Sequence, residues 1–183
     1  NINIMAKRWL LFLAFVPVLF TVKAQDFGLA TMLIPDTLLQ NADAVIRFHH
    51  TEIKRFSAAT ALMKVHFAVT VLNKNGRTDA WLAIHYNNNR KVNSISGKFY
   101  NALGLEVDKV RKDDISDFAS YPDFTFYSDS RVKLIKPIRK QYPYTAEYEY
   151  EIYISGLVGF DMWMPVTGVG VSVEEADFEL SFI

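Results

Sequence analysis

Along most of the chain, apolar and polar residues alternate with period two, the spacing of a strand that buries one face and wets the other. Val65, Phe67, Val69 and Val71 alternate with Lys64, His66, Ala68 and Thr70. Asn73-Lys74-Asn75-Gly76 follows. Because Asn and Gly adopt positive φ at low cost, this predicts a hairpin whose second strand is Trp81 to Tyr86. A second hairpin is expected where Lys98-Phe99-Tyr100 meets Leu105-Glu106-Val107 across Asn101-Ala102-Leu103-Gly104. Arg111 to Ser120 reads as a polar loop, and Phe124 to Ile135 as strand.

The strongest alternation runs from Tyr144 to Ser155. Tyr144, Ala146, Tyr148, Tyr150, Ile152 and Ile154 share one face, which should meet a core. Glu147, Glu149 and Glu151 share the other, where solvent or cross-strand Lys and Arg must offset their repulsion. Near the end, the apolar phase changes from Val169, Val171 and Val173 to Ala176, Phe178, Leu180 and Phe182. One extra residue at Glu174-Glu175 would produce that shift, as in a β-bulge. The alternation reaches Phe182-Ile183 without a terminator, so the expectation is a domain truncated at its C-terminus.

The beginning of the chain has a different pattern. Lys7 and Arg8 precede a 12-residue apolar run, Trp9 to Phe20, and then Val22 and Ala24 at the −3 and −1 positions of a cleavage site. That run is shorter than the roughly 20 residues needed to span a bilayer. Residues 1–4 are read as translated upstream sequence, 5–24 as a signal peptide cut between Ala24 and Gln25, and 25–183 as one domain. An exported product, periplasmic or secreted and free of the membrane after cleavage, is the expectation. Beyond the leader, Pro35, Asp36, Leu38, Leu39 and Ala42 predict a short helix. Several strands, turns rich in Gly, Asn and Pro, and little helical pattern together predict an all-β fold. The expected form is an antiparallel β-sandwich of two packed sheets with that short helix at its start.

Composition narrows the chemistry. The chain has 183 residues, half of them hydrophobic and 14% aromatic, which suits a packed domain and not a disordered tail. It has no cysteine, so disulfides, thiolate metal sites and a cysteine nucleophile are excluded within it. Lys7, Arg8 and Lys23 precede Gln25, leaving 17 basic against 20 acidic residues, a net charge of −3. Nothing in that balance recruits nucleic acid.

Individual side chains offer few alternatives. His49 and His50 are strand neighbours that must face opposite ways, so only His50 with Glu52 could share an ion. His66 and His85 would lie on paired strands. Asp113, Asp114 and Asp117 lack the spacing of a calcium loop, and the serines lack a nucleophile elbow. No catalytic, cofactor-binding or metal residue is therefore assigned. Tyr142, Tyr144, Tyr153 and Trp163 are the candidate ligand surface, on which sugars or peptides could stack.

Certain runs carry a family likeness: Ile34-Pro35 with Ala42-Asp43-Ala44-Val45-Ile46-Arg47, Leu72-Asn73-Lys74-Asn75-Gly76, Gly97 through Gly104, Asp129-Ser130-Arg131-Val132-Lys133 and Tyr142 through Glu151. Through them, residues 34–182 resemble an uncharacterised domain-of-unknown-function family. That family occurs in exported proteins, commonly of Bacteroidetes type, upstream of a transglutaminase-like domain. The resemblance implies a non-catalytic N-terminal module, structural or docking in role, whose partner is the downstream domain of the same polypeptide. The alternative is a stand-alone secreted module that binds carbohydrate or peptide.

Overall fold

The computed structural model describes residues 28–120, 129–156, 163–166 and 168–183. The leader, the Ala24–Gln25 cleavage position and the first part of the expected 124–135 strand lie outside these residues.

The fold is mostly β, with two sheets and few helices. A single helical turn, α1 (Asp36–Leu39), follows Pro35 and precedes β1 (Ala44–Arg55). The other strands are β2 (Thr60–Val71), β3 (Leu82–Tyr86), β4 (Arg90–Asn101), β5 (Glu106–Lys109), β6 (Ile115–Ala119), β7 (Arg131–Ile135), β8 (Tyr144–Ser155), β9 (Val171–Val173) and β10 (Ala176–Phe182). The large sheet runs β10-β1-β2-β8-β4-β5, with β9 also on β1; the small sheet runs β3-β7-β6.

The strand at 144–155 forms as its alternation predicts and lies inside the large sheet. It pairs along its length with β2 on one side and β4 on the other. Ala146, Tyr148, Ile152 and Ile154 are buried, in one cluster with Leu82, Ile84 and Ile135 of the small sheet. Tyr148 is fully enclosed and its hydroxyl donates to the Ala80 carbonyl oxygen at 2.8 Å. Burying an aromatic ring of this size contributes about 2–3 kcal/mol, provided its polar end finds a partner. The hairpin of β4 and β5 also forms, turned by Gly104 at φ +78°.

Three expectations are corrected. The segment after β2 is not a hairpin turn: β2 pairs with β1 and β8, while β3 pairs with β7 in the other sheet. Asn75–Thr78 form a 3-10 turn that crosses between sheets, and Gly76 is needed for close packing, since a Cβ there would stand 2.3 Å from the Asp43 carbonyl oxygen. Asp43 also accepts from the Asn73 and Asn75 side-chain amides at 2.9 and 3.3 Å. The polar residues that resembled reversal chemistry thus anchor a crossover.

Second, residues 115–119 are strand, because Asp117 and its neighbours pair with β7. Third, the strands are not all antiparallel. β9 and β10 both run parallel to β1. The phase change at Glu174-Glu175 coincides with a bulge in β1 between Ile46 and Phe48. Both strands break together, so Ile46 faces Val173 and His49 faces Ala176 without loss of register.

Candidate functional site

Side chains on the outer face of the large sheet collect above β1, β2, β8 and β4. His50 lies directly opposite His66 across the β1–β2 ladder. Phe48, two residues before His50 and on the same face, stacks on the His50 ring at 5.1 Å and meets the His66 ring edge-on at 4.7 Å. His66 Nε2 sits 2.7 Å from Glu147 Oε1, and the Tyr100 hydroxyl donates to Glu147 Oε2 at 2.5 Å. Glu151 pairs with Lys64 at 3.1 Å. The repulsion along β8 is therefore offset by one lysine, as expected, and also by a histidine and a tyrosine.

His66, Glu147 and Tyr100 border an open cleft of about 660 Å³, together with Lys98, Arg47 and Glu175. Its floor is sheet and one wall is the Gly28-Leu29 segment. Arg47 holds that wall: its guanidinium donates to the Gly28 and Ala30 carbonyl oxygens at 3.2 and 3.3 Å and to Glu174 at 2.7 Å. Carboxylate, imidazole, phenol and ammonium groups give the cleft a polar lining.

At the edge of this face the parallel pairing sets Asp177 opposite His50, and their side chains are in contact through Nδ1 and Oδ1. His49, one residue away, points to the inner face, where it meets Phe67 and Trp163. Burial holds the His49 pKa below its ordinary value, assisted by the nearby His50 charge and opposed by Asp177. His50 and Glu52 do share a face, but the carboxylate that touches His50 is that of Asp177 on β10, 127 residues onward, and no local spacing could reveal it.

The other named residues are dispersed. The Tyr142 and Tyr144 rings meet at a 41° tilt with centroids 5.7 Å apart, with Tyr144 buried and its pKa pushed up to about 12, first by burial and then by Tyr142. Tyr153 lies nine residues further along β8, roughly 30 Å away at strand rise, on the opposite face from Tyr144. Trp163 packs against His49 and Phe178. These four do not form one platform. His85 stands on the small sheet, away from the His66 ladder, opposite Val132. Of the three aspartates, Asp114 accepts from the Arg111 amide, whereas Asp117 is gripped by Lys133, Tyr86 and Arg131. Those three donors, Lys133 foremost, lower the Asp117 pKa to about 2.

The two edges of the large sheet differ. β5 is four residues long and reads Glu-Val-Asp-Lys, a short charged edge of the kind that resists further pairing. β10 is seven residues long, and Phe178, Leu180 and Phe182 on its inner side are 38%, 36% and 66% exposed. Among the described residues no strand pairs with its outer edge.

Comparison with known proteins locates this architecture. Among solved structures, the chain is similar to a Parabacteroides distasonis protein provisionally described as a protease. The two share 13% identity and a TM-score of 0.52, over 62% of this chain and 23% of that one. Aminopeptidase A from Legionella pneumophila in complex with aspartic acid aligns at 12% identity and TM-score 0.30, over 60% of this chain and 10% of its own. An M1 zinc metallopeptidase from Deinococcus radiodurans aligns at 6% identity and TM-score 0.30, over 62% of this chain and 21% of its own. The chain thus spans less than a quarter of the length of each. No curated protein matches it. A family model does match, across residues 59–182. The chain belongs to the domain-of-unknown-function family DUF3857.

Proposed function

We propose that this chain is a non-catalytic N-terminal module of a larger exported protein, and that it docks the polypeptide that follows it against β10. The observation that carries this reading is the contrast between the two sheet edges. β5 is short and charged, whereas β10, among the described residues, presents an unpaired backbone edge beside Phe178, Leu180 and Phe182. An exposed edge of that length invites another strand or an apolar surface. The related Parabacteroides fold is itself a minor part of a longer chain, which supports a modular role. By the resemblance given above, the following domain would be transglutaminase-like and would hold the chemistry.

The test begins with the coding sequence beyond Ile183. A further domain there, expressed together with this one, should lose melting temperature when the largely exposed Phe182 is changed to Ser, while the isolated 183-residue chain changes little. A stop codon directly after Ile183, or equal losses in both proteins, overturns the proposal.

A further inference from the structure

We propose that His50, Asp177 and Glu175 form a binding site for one divalent first-row transition metal ion, of which Zn²⁺ is the type. One ligand atom from each lies within 4.8 Å of the other two, and all three side chains are open enough for an ion to enter. Tetrahedral coordination at about 2.1 Å would place neighbouring ligand atoms about 3.4 Å apart, so the Asp177 carboxylate, now in contact with His50 Nδ1, would swing outward to admit the ion while the exposed Glu175 turns to meet it. Imidazole nitrogen favours this class of metal over Ca²⁺ or Mg²⁺, and two carboxylates balance its charge. The fourth position is left to water or to a ligand in the adjoining cleft, which Glu175 borders.

The site is held in shape by its surroundings. The His50 ring is stacked on Phe48 with its plane 13° from parallel. Asp177 faces His50 in register, and the backbone on either side of Glu175 is fixed. The Glu174 amide donates to the Ile46 carbonyl oxygen at 2.8 Å, and the His49 amide donates to the Glu175 carbonyl oxygen at 3.1 Å. The next rung along the same face sets Glu52 between Glu179 on β10 and Lys64 on β2, and Lys64 is also paired with Glu151. An ion here would tie β10 to β1.

Purified, untagged, metal-free protein is titrated with ZnCl₂ by calorimetry and with CoCl₂ by visible absorption. One equivalent should bind, with a Co²⁺ d–d band. His50→Ala, Asp177→Asn and Glu175→Gln should each weaken binding roughly tenfold or more, the scale at which even supporting partners of a metal ligand count. His85→Ala, on the small sheet, should bind as the parent does. The imidazole resonances of His50 should move on Zn²⁺ addition and those of His85 should not. No saturable binding, or parental affinity in both Asp177→Asn and Glu175→Gln, overturns the proposal; these two exposed substitutions keep the test open if His50→Ala fails to fold.

Discussion

Arg47 and Glu174 meet across the point where β1 and its parallel partner strands break together, with Arg47 Nε 2.7 Å from Glu174 Oε2. The Arg47 side chain is 5% exposed and the Glu174 side chain 31%, so the pair is shielded on the arginine side. The guanidinium also reaches two backbone carbonyl oxygens of the 28–30 segment. One side chain therefore joins three pieces of chain at the rim of the cleft.

Removing it leaves a carboxylate and two carbonyl groups short of a donor. Arg47→Ala should cost about 2–3 kcal/mol in urea unfolding, below the usual range for a broken buried pair because Glu174 is partly solvated. Glu174→Gln keeps an acceptor and should cost about 1 kcal/mol. Faster amide exchange at Thr31 in Arg47→Ala would locate the loss at the cleft wall.

Glycine substitutions should divide sharply. A Cβ at Gly76 would lie 2.3 Å from a backbone oxygen that cannot move away cheaply, while one at Gly168 meets nothing within 4 Å. Gly76→Ala should destabilise by about 3 kcal/mol or prevent folding, and Gly168→Ala should change stability by less than about 0.5 kcal/mol. Thermal melts of the two variants beside the parent check this.

Asp117 links pH to the small sheet. Its folded-state pKa of about 2 lies below the ordinary carboxylate value of 3.8, so the unfolded chain takes up its proton first as pH falls. The contribution is complete above the unfolded value and fades as pH drops toward 2. Asp117→Asn should flatten the stability profile across that window. The Asp117 carboxyl carbon resonance should titrate near 2 in the parent protein.

Tyr148 responds at the other end of the scale. Burial raises its pKa well above the ordinary phenol value, aided by Tyr144. The associated stability is fully present below pH of about 10 and declines above it, as the unfolded chain ionises first. Tyr148→Phe leaves the Ala80 carbonyl oxygen without this donor and should cost about 1–2 kcal/mol at neutral pH, read by urea unfolding.

How much of this was legible depended on the range of each interaction. β8 and the β4–β5 hairpin could be read directly, because side-chain alternation and a positive-φ glycine are local properties. The crossover at Asn75–Thr78 could not, since Asn and Gly serve equally in a reversal and in packing against Asp43. Nor could the parallel pairing of β9 and β10 with β1, which rests on contacts 127 residues apart. The candidate site shares that origin: local spacing sets His50 beside His49 and Glu52, but Asp177 and Glu175 join it only through the sheet.

The edge of β10 is where the modular reading is most exposed to refutation. Hydrogen exchange, measured on this chain alone and on the polypeptide extended through whatever follows it, compares the same backbone amides in both. Slower exchange at the outward-facing amides of residues 176–182 in the extended protein is the expected result. Identical exchange in the two proteins would contradict docking at that edge.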